Sequence, residues 1–127
     1  MSFTPANAVV WMEIPVLDID RGIAFYREVF GHDLTRDDSG PNPMAMFSVS
    51  DPASGVAGHL YPGKPSQPGN GPTIHLQVPD TLEATSGRCE AAGGTVVSDP
   101  IGIPAGRFQY ALDPDGNSIG LFEPAKG

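Results

Sequence analysis

The chain has one cysteine, Cys89, in 127 residues, which rules out an internal disulfide and suits a reducing compartment. Uninterrupted apolar runs are also missing: none approaches the roughly 20 residues that cross a bilayer. The first residues, MSFTPANAVVWMEIP, lack the basic stretch and long apolar segment of a signal peptide. Positive charge is scarce, with 7 Lys and Arg against 15 Asp and Glu, a net charge of -8. No basic stripe is present to meet phosphate, so nucleic acid and anionic membranes are poor partners. The expectation from these absences is a cytoplasmic protein. Its length matches one domain, residues 1–127, able to bury a core without metal or disulfide support.

Glycine and proline are abundant, 30 residues together, close to a quarter of the chain. They fall between periodic apolar segments and mark turns between short strands. The strongest pattern is internal: aligning each residue with the one 62 positions later gives nine identities without a gap. Val16 meets Val78, Asp18 meets Asp80, Glu28 meets Glu90 and Gly31 meets Gly93. Gly40 meets Gly102, Asp51-Pro52 meets Asp113-Pro114, Gly58 meets Gly120 and Pro62 meets Pro124. These identities mark structural punctuation, and the period suits a duplicated unit too small to stand securely alone. The reading is module one at about 8–62, a Pro/Gly-rich linker at 63–71 and module two at about 72–124.

Each module opens on a strand of period two. Val10, Met12, Ile14 and Val16 share one face, and Trp11, Glu13 and Pro15 the other; Thr73–Val78 alternates in the same way. A helix follows, capped by Asp18 or Asp20 and ended by Gly31, with Ile19, Ile23, Tyr26 and Phe30 in one stripe. Its counterpart runs from about Asp80 to Ala92, with Leu82, Cys89 and Ala92 as a weaker stripe. Three strands complete each module, near 33–37, 44–50 and 55–61, then near 95–99, 107–112 and 117–123. Gly102–Gly106 reads as a loop able to lie over a pocket mouth.

On Glu13-Ile-Pro-Val-Leu-Asp18, Ala24-Phe-Tyr-Arg-Glu-Val-Phe-Gly31, Ala91-Ala-Gly-Gly94 and Asp113-Pro-Asp-Gly-Asn-Ser-Ile-Gly-Leu121, the chain resembles the vicinal oxygen chelate superfamily. That group contains glyoxalase I, bleomycin-resistance proteins and extradiol dioxygenases. The resemblance implies an α+β fold of two tandem βαβββ modules, an incompletely closed barrel-like sheet, and often a homodimer. Metal-dependent members place His or Glu at four inward strand positions. Here those positions read as Trp11, Gly58, Thr73 and Gly120, none of which ligates a divalent cation well.

A second pair, Glu13 and His75, matches at the same offset and shares the inner faces by strand parity. The two could act as general acid and base, ligate a displaced divalent metal, or form a bonded couple that shapes the cavity. Trp11, Thr73 and Phe122 are the candidate ligand-binding residues, Trp11 either stacking on a planar ligand or filling the barrel. His59 has parity opposite to Gly58 and is expected to point away from the inner face, as is Glu123. His32 and Arg107 read as surface residues, and Cys89 as a small buried apolar group. Two functions follow. One is a pocket that binds a small organic molecule without metal. The other is a lyase, isomerase or dioxygenase-type enzyme using Glu13 and His75.

Overall fold

The computed structural model describes residues 2–126. In chain order the elements are β1 (Met12–Val16), α1 (Ile19–Phe30), β2 (Leu34–Asp37), β3 (Met44–Phe47) and β4 (Gly58–Pro62). They continue with β5 (Ile74–Gln77), α2 (Leu82–Ala91), β6 (Thr95–Val96), β7 (Ile101–Ile103), β8 (Gly106–Leu112) and β9 (Ser118–Pro124). They form two sheets of matching order, β1-β4-β3-β2 and β5-β9-β8-β6, with β7 added against β8. In each sheet the module's first strand pairs in parallel with its last, and the other pairs are antiparallel. The fold is α+β, and the sheets do not close into a barrel.

Local chemistry fixes α1. Asp18 accepts from the backbone N–H of Asp20 (3.0 Å) and Arg21 (3.1 Å), which satisfies donors left free at the helix start. Gly31 ends the helix at φ 66°. The expected stripe of Ile19, Ile23, Tyr26 and Phe30 is buried, and Gly22, Phe25 and Val29 are buried with it. The buried face is wider than one sheet requires because α1 packs against both its own sheet and α2. Gly94 permits this approach: a Cβ there would lie within 2.8 Å of Phe25 Cε1 and the Leu112 carbonyl. The second helix starts at the Thr81 cap rather than at Asp80, whose carboxylate is held by Arg88 and Thr85 instead.

Several strands are shorter than their apolar pattern predicts. Val9 and Val10 lie outside β1 and are exposed, because β4 begins opposite Met12 and offers earlier residues no partner. Part of the expected 102–106 loop is strand: Ile101–Ile103 folds back on Gly106–Phe108 as a hairpin. One apolar core joins the modules, drawing Ile14, Val16 and Leu60 from one sheet and Leu76, Ile119 and Leu121 from the other. Polar bonds lock the same junction. The buried Asp113 accepts from Tyr26 Oη (2.7 Å) and Asn117 Nδ2 (2.8 Å), while Asn117 Nδ2 also donates to the Pro15 carbonyl (2.8 Å). Burial, then the Asp113 charge, raises the Tyr26 phenol well above its ordinary pKa.

Candidate functional site

Each sheet packs one face on the core and leaves the other open. In the first sheet Ile14 and Leu60 are buried partners, so their strand neighbours Glu13 and His59 fall together on the open face. This corrects the sequence expectation for His59 and Gly58. The parallel register pairs Glu13 with His59 and Met12 with Gly58, so Gly58 lies on the core-facing side beneath Met12. In the second sheet His75 pairs with Gly120. The equivalent of Gly120 is therefore His59, at an offset of 61, not Gly58 at 62. The connection from β3 to β4 is longer than that from β8 to β9, and this shifts the last strand out of the ungapped alignment.

Trp11 bonds His59, and His59 stands beside Glu13. The indole N–H donates to His59 Nδ1 at 3.0 Å, and His59 Nε2 lies 3.1 Å from Glu13 Oε1. An indole nitrogen can only donate, so Nδ1 is the lone-pair nitrogen and Nε2 carries the ring proton. His59 is 9% exposed, while Trp11 is 45% exposed and the Glu13 side chain 63%. Tyr61, two residues along the same strand, sets its ring 6.1 Å from His59. Together these groups offer a carboxylate with one oxygen free of partners, an oriented imidazole and two aromatic surfaces.

The second open face is built differently. His75 lies across β9 in the space where Gly120 has no side chain; a Cβ there would clash with the imidazole ring. Phe108, Tyr110 and Phe122 surround it at 5.0, 5.9 and 6.0 Å, and Phe108 stacks on Phe122 with planes 7° apart. His75 remains solvent-exposed, but partial burial against these rings lowers its pKa from the usual imidazole value. Thr73 bonds Ser118 hydroxyl to hydroxyl at 2.6 Å. Glu13 and His75 do not touch. Glu13 lines a cavity with Met44, His59 and Tyr61, whereas His75 lines another with Met12, His32 and Phe47.

The remaining candidates have other partners. Arg107 is clamped between Glu83 (2.6 Å) and Glu123 (2.8 Å), and that guanidinium holds both carboxyls below their ordinary pKa. His32 Nε2 meets the Gln77 carbonyl at 3.0 Å, and burial lowers its pKa. It therefore joins the modules instead of standing on the surface. Burial pushes the Cys89 thiol up to about 11, which leaves it inert. The sequence reading missed His59, Tyr61, Phe108 and Tyr110. A signal for the first two was present: His59-Leu-Tyr61 matches Gly120-Leu-Phe122 once one residue of offset is allowed.

The model of the glyoxalase/bleomycin resistance protein/dioxygenase superfamily matches residues 8–121. The chain belongs to this superfamily. Among curated proteins it is 32% identical over 122 residues to CFP32 of Mycobacterium bovis and of Mycobacterium tuberculosis, named as a candidate glyoxylase. The match takes 94% of this chain but 45% of CFP32, so the chain spans less than half the length of these relatives. Solved structures share the fold. A glyoxalase/bleomycin resistance protein of Albidiferax ferrireducens superposes with a TM-score of 0.71 at 21% identity, covering 94% of this chain and all of that one. Glyoxalase I of Zea mays gives 0.67 at 22% identity, over 89% of this chain and 44% of its own.

A divalent metal is a frequent cofactor of the superfamily, and the donor set can be tested against one. With the register corrected, the four positions of this glyoxalase-superfamily chain are Trp11 and Thr73, each one residue before its strand, and His59 and Gly120 within theirs. Only His59 is a strong ligand type, and its Nδ1 already accepts from Trp11. Among the described residues no three His, Cys, Asp or Glu side chains converge as a metal-binding group. These residues do not fit the metal.

Proposed function

We propose that this superfamily member binds a small organic molecule on the open faces of its sheets, without a divalent metal. The observation that supports this is the exchange of donor groups for aromatic surface. Trp11 and Gly120 stand where ligands would be needed, and Trp11, Tyr61, Phe108, Tyr110 and Phe122 supply rings for contact. The protein is read as a cytoplasmic homodimer. Its acidity argues against nucleic-acid partners, and Phe3, Val9, Val10 and Leu17 give an exposed apolar margin that a second copy would cover.

Metal analysis of protein purified without a histidine tag, paired with thermal shift against metabolites and antibiotics, tests this reading. Far less than one equivalent of Zn, Ni, Fe or Mn is expected. A ligand at a hundredfold excess over Kd adds about 2.7 kcal/mol of stability. A stoichiometric metal, lost in Glu13→Ala or His75→Ala, would overturn the metal-free reading. That result would favour a second one, a lyase, isomerase or dioxygenase-type enzyme using Glu13 and His75 with a displaced metal. The exposure of both side chains and the name of the mycobacterial relatives support that alternative.

A further inference from the structure

The cleft beside Glu13 has a definite charge character. It holds about 240 Å³ and is lined by Glu13, Asn42, Met44, His59 and Tyr61, with Gly40 and Pro41 at its rim. No lysine or arginine lines it. The only group in ion-pair range of Glu13 among the described residues is His59, whose Nε2 lies 3.1 Å from Oε1. Arg21, Arg36, Arg88 and Arg107 are engaged by other carboxylates and Arg27 by the Leu34 carbonyl, and neither Lys64 nor Lys126 pairs with Glu13. Among the described residues the Glu13 carboxylate is exposed, has no lysine or arginine in ion-pair range, and shares the cleft lining with Tyr61, while Trp11 lies against His59 outside that lining.

A carboxylate beside an aromatic ring and a thioether is the chemistry that selects an organic cation. The carboxylate meets the charge, and the ring quadrupole favours a weakly hydrated ammonium over a small hydrated metal ion. An anion would face the Glu13 charge with no lysine or arginine among the lining residues to offset it. The volume lies below the 300–1,000 Å³ of drug-sized sites, about right for a head group. Resting on the small-molecule reading above, we propose that this cleft is a subsite for the ammonium or cationic heteroaromatic end of the ligand. Glu13 supplies the charge, Tyr61 the aromatic wall and Met44 a thioether, while Trp11, outside the lining, fixes the His59 ring beside the carboxylate through its bond to Nδ1.

Trp11 is the only tryptophan, so its fluorescence reports on this site. The test titrates the full chain with benzyltrimethylammonium chloride, and with sodium benzoate and benzyl alcohol as anionic and neutral counterparts. A saturable change is expected with the cation alone. Glu13→Gln keeps an oxygen to accept from His59 and removes only the charge; it should weaken cation binding about tenfold or more. Glu13→Lys should reverse the preference toward benzoate, a gain that misfolding could not produce. Equal responses to cation and benzyl alcohol, unchanged cation binding in Glu13→Gln, or no saturation by the cation would overturn the subsite. If benzyl alcohol or a library compound still binds, the small-molecule reading survives that loss. Silence from every probe and from the thermal-shift library would remove both.

Discussion

The two modules share strand order and helix placement, yet their open faces hold opposite arrangements at equivalent positions. In module one the parallel neighbours are Glu13 and His59, 3.1 Å apart, and His59 accepts from Trp11. In module two the neighbours are His75 and Gly120, and the imidazole lies in the space left by the glycine, against three aromatic rings. The first face is a polar relay around a free carboxylate, the second an aromatic wall. On the buried side the modules stay alike: Ile14 and Leu60 in one match Leu76 and Leu121 in the other. Core packing penalises changes of volume in both copies, whereas an open face tolerates different chemistry wherever the backbone pairing is kept.

The sharpest way to break this comparison is to add a methyl group at the two glycines that match in sequence but not in structure. Gly58→Ala would drive a Cβ into the Met12 backbone and side chain and loosen the β1–β4 pairing, a loss of about 3 kcal/mol in urea unfolding. Gly120→Ala would meet only the His75 ring, which can swing into solvent, so about 1 kcal/mol or less is expected. Equal losses at both sites would mean that the glycines occupy the same face after all. Gly120→Ala should also raise the His75 titration midpoint toward the usual imidazole range, followed by NMR, because the ring leaves its aromatic shelter.

Trp11→Phe tests the relay. It removes the donor to His59 Nδ1 at a cost of about 1 kcal/mol. In the wild type, nitrogen shifts of His59 should show Nδ1 without a proton and Nε2 with one, and the variant should populate both tautomers. A wild-type spectrum already mixed would remove the relay.

The smallest effect is on pH dependence. His32 and His75 have lowered pKa values in the fold, so the unfolded chain binds more protons below the usual value of about 6.5. Their stabilisation is intact above that pH and is lost as pH falls through it. Thermal unfolding from pH 7 to 5 should show a falling Tm, and His75→Gln should flatten only part of that slope, because solvent screens the exposed ring. A Tm that rises on acidification would contradict both shifts.

Much of this was readable from residue order because it depends on short-range rules. Asp18 and Gly31 bracket α1 through capping chemistry, and the apolar stripe between them is buried as periodicity requires. The family resemblance also needed only local wording. The β4 face was misread because facing depends on register, and register follows from a loop whose extra length absorbs the shift. His59 is the consequence: alternation within Gly58–Pro62 was legible, but not which half of it looks outward. The 101–103 strand was hidden because its apolar residues are few and its pairing is with a hairpin partner.

By itself, then, the sequence determined the duplicated α+β plan, the helix ends, the strand alternation and the absence of strong metal donors at Trp11, Thr73 and Gly120. Those features follow from side-chain chemistry and from neighbours within a few residues. Tertiary structure alone decided that Glu13 meets His59 and not His75, that His75 rests over Gly120, and that His32 bridges the modules. Each is a contact between distant segments. Such contacts are set by strand register and core packing, which no local pattern specifies.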